Sequence, residues 1–470
     1  MSSEPATRSA HGRRRRGRAF ASAFAIVVGV LLVVGLAGAA ATVAQGPRVT
    51  DVQVDPAATV AGSGSRLIIT TTQSLAEIDP SQVTVTPATP FAVDTSGRSI
   101  GVRFALPLWD DTEYTVEVAG VESLGGGPTA TLSESFRTPA AQVELLQRGI
   151  DGDTIYRTGL SGEDAVAVFT HPHIEDFRAT ATHLVVSVRT EDDEAGLIVT
   201  DLDGQNLREL PLPGDGFVSN LQSADRGDVV GYTFSDADLS ADSGRESMLF
   251  TVSLRGADDE STAITLEGAD PRVAGWRFVP DTDSILLLSF DGSLLLTGSD
   301  GAGATALGTA MAIEGIARGS SEAVVERVEE MTTIDLTNAA EEPLVAADED
   351  LGGVSTVTPL PDGSTIRTAA VLDGDGVPTG ETSISIVADD GATRLLTEVP
   401  ATDAVLQVCV SPSARYAAVL VAPDAVDNAY DTYQLPLPER TETRALELAD
   451  GADVVALAGS SISWCQVPAT

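Results

Sequence analysis

The chain has 470 residues, 43% apolar and 21% charged, so it is long enough for two or three domains and apolar enough to bury a core in each. Its 69 acids face 28 basic residues, all arginine, for a net charge of −41. That excludes polyanionic nucleic acid as a partner, because such binding depends on neutralising phosphates. Two cysteines are too few for a four-cysteine zinc site, a cysteine-ligated iron–sulfur centre or a disulfide-rich miniprotein.

Residues 1–18 read as a short tail ending in Arg13-Arg14-Arg15-Arg16-Gly17-Arg18, and residues 19–44 carry no charge. At about 1.5 Å per residue the uncharged run makes about 39 Å of helix, against roughly 30 Å of hydrocarbon. It predicts a transmembrane signal anchor with the tail in the cytoplasm and everything after it extracytoplasmic, arginines before the span and acids after it setting the direction. A cleaved signal peptide is the competing reading, with Ala39-Ala40-Ala41 as small residues near its end; the apolar region of such peptides is shorter, about 7–15 residues. Beyond residue 46, 22 basic residues remain against 68 acids, or −46. This surface keeps an exported protein soluble and repels anionic headgroups. Absent lysine with abundant Ala, Asp, Glu, Arg and Gly also fits the codon bias of a high-GC genome.

Residues 47–138 predict a small β-sandwich. Segments 48–54, 82–85, 99–104 and 114–118 alternate apolar and polar residues, as strands with one face in a core do. Gly62-Ser63-Gly64, Asp79-Pro80, Ser96-Gly97 and Gly125-Gly126-Gly127-Pro128 supply the turns. The run Leu106-Pro107-Leu108-Trp109-Asp110-Asp111-Thr112-Glu113-Tyr114-Thr115-Val116, then Gly120-Val121 and Ser135-Phe136-Arg137-Thr138, resembles the end of a bacterial Ig-like domain of the surface-layer and cell-wall type. The resemblance implies a spacer, with Tyr114 at the place of a tyrosine corner. It carries no ligand site, since Gly125-Gly126-Gly127 stands where the family has an Asn or Asp after its late glycine.

Residues 143–470 show no long helical period. Asp-Gly hairpins recur at Gly204, Gly292 and Gly391, 88 and 99 residues apart, or about two units each. A second element, an apolar strand ended by proline, recurs at Pro280, Pro361 and Pro412. A unit of about 40–55 residues made only of strands predicts propeller blades. Val408-Cys409-Val410-Ser411-Pro412-Ser413-Ala414-Arg415-Tyr416-Ala417-Ala418-Val419-Leu420 resembles the blade signature of TolB-type and WD-repeat-like propellers. Six blades are expected to begin near Ile174, Phe217, Val273, Ile313, Val354 and Val405. A seventh is expected from strands at 143–168 joined to strands at 454–467, a closure that removes exposed strand edges. The expected fold is therefore all-β: one N-terminal helix, an Ig-like sandwich and a β-propeller of seven blades. Cys409 and Cys465 lie in the last complete blade and the closing one, so an oxidised bridge between them is expected to lock the ring, by about 3–4 kcal/mol on the chain-entropy model.

No constellation of catalytic residues stands out. His171-Pro172-His173 and His183, with Glu175 and Asp176 near, have the residue types of a zinc site but read as ordinary loop; a structural site needs four ligands at about 2.0–2.3 Å. Asp373-Gly374-Asp375-Gly376 and Asp201-Leu202-Asp203-Gly204-Gln205-Asn206 echo calcium loops without the closing glutamate, and hairpin turns explain both. There is no Gly-x-Ser-x-Gly elbow and no phosphate-cradling glycine loop. The sequence therefore names no catalytic residue, metal or cofactor. The expected function is an extracytoplasmic binding or scaffolding protein in the cell membrane, presenting a propeller to a cell-envelope protein or glycan. The alternative is an exported propeller hydrolase or lyase using carboxylates in the central funnel, and a third reading is a sensor signalling through the helix.

Overall fold

The computed structural model describes residues 20–35, 46–190, 192–225, 228–240, 243–255, 260–265 and 268–469. Residues 20–35 are helical. Among the described residues no helix is long and apolar enough to cross a membrane; the predicted span also takes in 19 and 36–44, which lie outside them, as does the arginine-rich tail. The chain separates into two compact units. One holds 66–104 and 113–137 with the chain up to Asp55; the other holds 56–65, 105–112 and everything from Thr138 onward.

The first unit is two antiparallel sheets. Val49–Gln53, Arg66–Thr71, Ser99–Phe104 and Phe91–Ser96 pair in that order, and Val83–Thr86, Glu113–Val121 and Ala130–Arg137 form a three-stranded sheet. The alternation read from the sequence decides which faces are buried. Leu67 and Ile69 with Ile100, Val102 and Phe104 on one sheet, and Val83, Val85, Tyr114, Val116 and Val118 on the other, are all buried. Phe136 joins the layers, its ring 6.3 Å from Phe104 and 6.0 Å from Tyr114.

The second unit is a succession of antiparallel sheets. Gln142–Gln147, Asp153–Gly159 and Val166–His171 make a three-stranded sheet. Six four-stranded sheets follow, each in strict chain order, and they begin at Ile174, Gly216, Val273, Ala312, Gly353 and Ala404. The first strand of each sheet packs beside the first strand of the next. Apolar side chains from facing sheets then merge into shared cores, such as Val185, Leu197 and Val199 with Val218, Tyr232 and Phe234. The Asp-Gly turns fall where the sequence puts them, with φ of +72° at Gly204, +84° at Gly292 and +89° at Gly391. Glycine is obligatory at 204 for a second reason: a Cβ there would lie 1.7 Å from the Val168 carbonyl oxygen.

Ring closure differs in one respect from expectation. Asp453–Ala458 is not part of the closing sheet; it is the outermost strand of the last four-stranded sheet, paired to Glu442–Glu447. Only the residues after it cross over. Leu146 and Ser460 exchange backbone hydrogen bonds of 2.9 Å, and the Ser463 N–H donates to the Glu144 carbonyl at 3.0 Å. This crossing strand is short and irregular, bridged at Leu146–Ser460 and bonded again at Glu144–Ser463, and it runs along the edge of Gln142–Gln147 that the other two strands of the sheet leave open. Consecutive sheets joined by their first strands and closed by a strand from the far end of the chain are the architecture of a β-propeller.

Candidate functional site

The first strands of the six four-stranded sheets line the axis of the ring, and the pairing of each with its second strand slips once, whereas Gln142–Gln147 pairs without a slip. The pairing register slips between Ile174 and Asp176, Ser219 and Gln222, Val273 and Gly275, Ile313 and Gly315, Val354 and Thr356, and Val405 and Gln407. A β-bulge re-aims the side chains beyond it. Two residues past the bulge, the six equivalent positions hold Arg178, Ala224, Arg277, Ala317, Thr358 and Cys409. This bulge is the repeat that sequence reasoning missed: it is defined by backbone pairing, and residues as unlike as Asp, Gln, Gly and Thr occupy it.

Much of the axis is filled by the chain itself. Beyond the closing strand, the segment 464–468 accepts hydrogen bonds from several sheets. Arg178 Nε donates to the Gln466 carbonyl at 3.2 Å, Arg318 to Trp464 at 3.3 Å, and Gln407 to Val467 and Pro468 at 2.9 and 3.1 Å. The Gln466 side chain donates to Asp225, which also pairs with Arg318 at 3.4 Å. Arg178 and Asp176 form a fully buried pair at 2.8 Å, and the Ser461 hydroxyl donates to the same carboxylate at 3.2 Å.

A cavity of about 120 Å³ lies beside this segment. Arg277, Glu314, Arg318, Thr358, Cys409 and Trp464 are among its walls. Burial pushes the Arg277 guanidinium down to about 10, with the Glu314 charge pulling it back up, so it stays charged at neutral pH. Burial likewise raises the Glu314 carboxyl, opposed by the Val357 N–H that it accepts at 3.0 Å. The expected bridge is present at the wall: Cys409 and Cys465 are joined, with Cα atoms 5.5 Å apart.

A second polar cluster lies where the loop 423–440 of the last sheet meets the first two. Glu175, 3% exposed, accepts from the Gln434 and Leu435 N–H groups at 3.1 and 2.9 Å. The Tyr433 hydroxyl donates to Asp153 at 2.9 Å, and burial and this carboxylate both push the phenol up. Arg148 pairs with Asp431 at 2.7 Å and stacks on the Tyr433 ring, 4.1 Å from its centroid.

His171 and His173 belong to this cluster. His173 Nε2 lies 2.8 Å from Glu175, and its ring is 3.8 Å from that of Tyr433. His171 Nδ1 accepts from the His173 N–H at 3.2 Å, while His183 sits apart, 2.8 Å from the Thr182 hydroxyl. Among the described residues no group of three or more His, Cys, Asp or Glu side chains is placed to hold a metal ion. Asp201 accepts from the N–H groups of Asp203 and Gln205, and Asp373 from those of Asp375 and Val377, so both calcium-like motifs are closed turns. Trp109 is 37% exposed, with the Arg415 guanidinium 5.5 Å from the centre of its ring.

No family model and no curated protein matches the chain. Solved structures do, at low identity. A protein assigned as TolB of Agrobacterium tumefaciens is 12% identical, covering 68% of this chain and 90% of that one, with a TM-score of 0.37. One assigned as a 6-phosphogluconolactonase of Bacteroides fragilis is 11% identical over 68% and 96%, with a TM-score of 0.41. A prolyl endopeptidase is 10% identical over 79% and 50%, with a TM-score of 0.49. These likenesses are too distant to carry an activity across. The chain's own strand order and closure make it a β-propeller protein.

Proposed function

We propose that this is a membrane-anchored extracytoplasmic binding or scaffolding protein, with residues 1–18 in the cytoplasm, 19–44 as the anchor, an Ig-like spacer over 47–138 and a seven-bladed propeller over 143–470. The six four-stranded sheets are read as six blades. The three-stranded sheet with the crossing strand is the seventh. The partner is a cell-envelope protein or glycan met on the outer faces of the propeller.

The observation that carries this reading is the occupied axis. Substrate pockets usually enclose about 300–1,000 Å³, whereas the cavity left beside segment 464–468 is about 120 Å³. The carboxylates of the axis are also committed: Asp176 to Arg178, Asp225 to Arg318, and Glu314 to a backbone N–H. A funnel hydrolase or lyase needs carboxylates free to face a substrate. The Cys409–Cys465 bridge supports an oxidising compartment, where disulfides persist.

Capture of the full-length protein from crosslinked native membranes tests the proposal. A stoichiometric partner that is lost when 143–470 is deleted supports it. A protein that retains its anchor yet captures nothing above background overturns it and redirects the search to substrates of the isolated propeller. Protease protection in sealed vesicles of known orientation checks on which side the propeller lies.

A further inference from the structure

Two arginines occupy equivalent places on the axis and are treated differently. Arg178 and Arg277 each lie two residues past the bulge of their strand, and each donates to the carbonyl of the preceding residue, Phe177 or Trp276. Arg178 has Asp176 two residues before it and pairs with that carboxylate at 2.8 Å. At the corresponding position before Arg277 stands Gly275. Arg277 donates to the Trp276 carbonyl at 2.8 Å and the Ile313 carbonyl at 3.5 Å, and among the described residues no carboxylate forms an ion pair with it. The Glu314 charge and these two carbonyl dipoles are what offset the cost of taking the guanidinium out of water.

We propose that the axial cavity binds a small oxyanion, a carboxylate or phosphate group, on the Arg277 guanidinium. The planar fork of an arginine matches such a group with two parallel N–H donors. Arg277 lines the cavity, and Arg318, Thr358 and Gln466 line it with further donors. At about 120 Å³, well below the roughly 300–1,000 Å³ usual for larger ligands, the cavity suits inorganic phosphate or a short carboxylate. Asp225 already balances Arg318 at 3.4 Å. Glu314 is the acid that faces the site, and its carboxylate accepts the Val357 N–H at 3.0 Å.

A buried arginine elsewhere shows what the half-buried Arg277 site is not. Arg367, 6% exposed, also has carbonyl and hydroxyl partners, donating to the Val345 carbonyl and to Thr365 Oγ1. The cavity beside it is about 50 Å³, room for a water or two, so this guanidinium acts as a brace. The two arginines make a matched test.

The test is calorimetric titration of the whole purified protein with inorganic phosphate and, separately, with acetate. Wild type is expected to show saturable one-site binding of at least one of them. Arg277→Gln is expected to weaken it at least tenfold, Arg277→Lys to retain part of it, and Arg367→Gln to leave it unchanged. Val467→Phe, which adds a ring to the cavity wall and leaves Arg277 in place, is expected to abolish it. Circular dichroism checks that each variant is folded, and if Arg277→Gln is not, Val467→Phe decides. Phosphate alone binding, or acetate alone, supports the site and names its class. No saturable binding of either anion by wild type overturns the proposal. So does binding that survives unchanged in a folded Arg277→Gln or, failing that, in Val467→Phe.

Discussion

Two joints of the ring are built on different principles. Where the last sheet meets the closing one, Val143, Leu145, Tyr416, Ala418, Leu457, Ile462, Trp464 and Cys465 share one apolar core, with Tyr416 and Trp464 stacked at 5.7 Å. The Cys409–Cys465 bridge crosses the same joint, and the loop 423–440 clasps the first sheets through Glu175, Asp153 and Arg148. Where the sheet starting at Ala312 meets the one starting at Gly353, the buried contacts include Arg367 and a 50 Å³ cavity. The second joint is spanned by continuous chain, so its sheets stay near one another even when contacts open. The first is closed by a strand from the far end of the chain, so the cost of closing a loop of more than 300 residues must be met by contacts. The bracing sits where chain connectivity gives least help.

Removing the crossing strand should therefore do most harm. A chain ending at Ala458 loses the Leu146–Ser460 pairing, the disulfide, and the buried Ile462 and Trp464 side chains. Each buried apolar side chain contributes roughly 1.5–3 kcal/mol, and the total rivals the whole margin of about 5–15 kcal/mol. We expect no cooperative melt by circular dichroism and aggregates on gel filtration. A sharp, native-like transition would show that the joint is held by something other than this strand.

Opening the bridge alone should cost less. With the cysteines 56 apart in sequence, the chain-entropy model gives about 4 kcal/mol. Cys409→Ser with Cys465→Ser should leave a folded protein that melts at lower temperature, and reductant should shift wild type to the same midpoint. A midpoint that neither change moves would mean the apolar core closes the ring unaided.

How much of this was legible in the sequence follows from what each feature depends on. Blade starts could be read within about one residue because strand and turn chemistry are local: Asp-Gly permits positive φ wherever it falls. The cysteine pair was legible because Cys409 and Cys465 fall on strands assigned to the last complete blade and the closing one. The crossing strand was misplaced by several residues because Val454, Val455, Leu457, Ile462 and Trp464 are all apolar, and periodicity cannot tell an outermost strand from an inner one. The axial bulge and the Arg178–Arg277 contrast were not legible at all. Both depend on which strands pair, and neither Arg178 nor Arg277 has a local motif around it. The clasp at Glu175 is half visible: His171-Pro172-His173 marks polar chemistry nearby, but the partners of Glu175 lie some 260 residues away in sequence.

The clasp should matter less than the bridge and fail locally. Glu175→Gln keeps the shape but removes the charge that accepts the Gln434 and Leu435 N–H groups. Hydrogen bonds to a charged group contribute about 1.5–3 kcal/mol. Limited proteolysis should cut 423–440 several-fold faster in the variant, with the rest of the ring equally resistant. Cutting at wild-type rate would mean the Tyr433–Asp153 and Arg148–Asp431 contacts suffice. The weaker joint offers the reverse test, by hydrogen exchange. The strand Ala340–Pro343, exposed along its length, should exchange well before Gln142–Gln147, whose central residues are buried. Equal protection would erase the distinction between the joints.

The smallest effect expected is electrostatic and lies at a third joint, where Arg272 binds Asp270 at 2.7 Å and Glu246 at 3.0 Å. The Arg272 side chain, with help from its backbone N–H, holds the Asp270 carboxyl at about 2, against 3.8 for the free group. A carboxyl whose folded pKa is depressed stabilises the fold in full above its unfolded value and ceases to do so as pH falls through its folded one. The contribution should thus be intact above about pH 5 and fade between pH 4 and 2. The group is exposed, so the effect is small and screened by salt. Because a chain with 69 acids changes charge everywhere in that range, wild type must be compared with Asp270→Asn at each pH. The gap between their melting temperatures should narrow on acidification and at high salt. A gap constant from pH 7 to pH 2 would assign the role of Asp270 to its backbone turn instead, since its carbonyl also accepts the Ser289 hydroxyl at 2.8 Å and an asparagine leaves that bond intact.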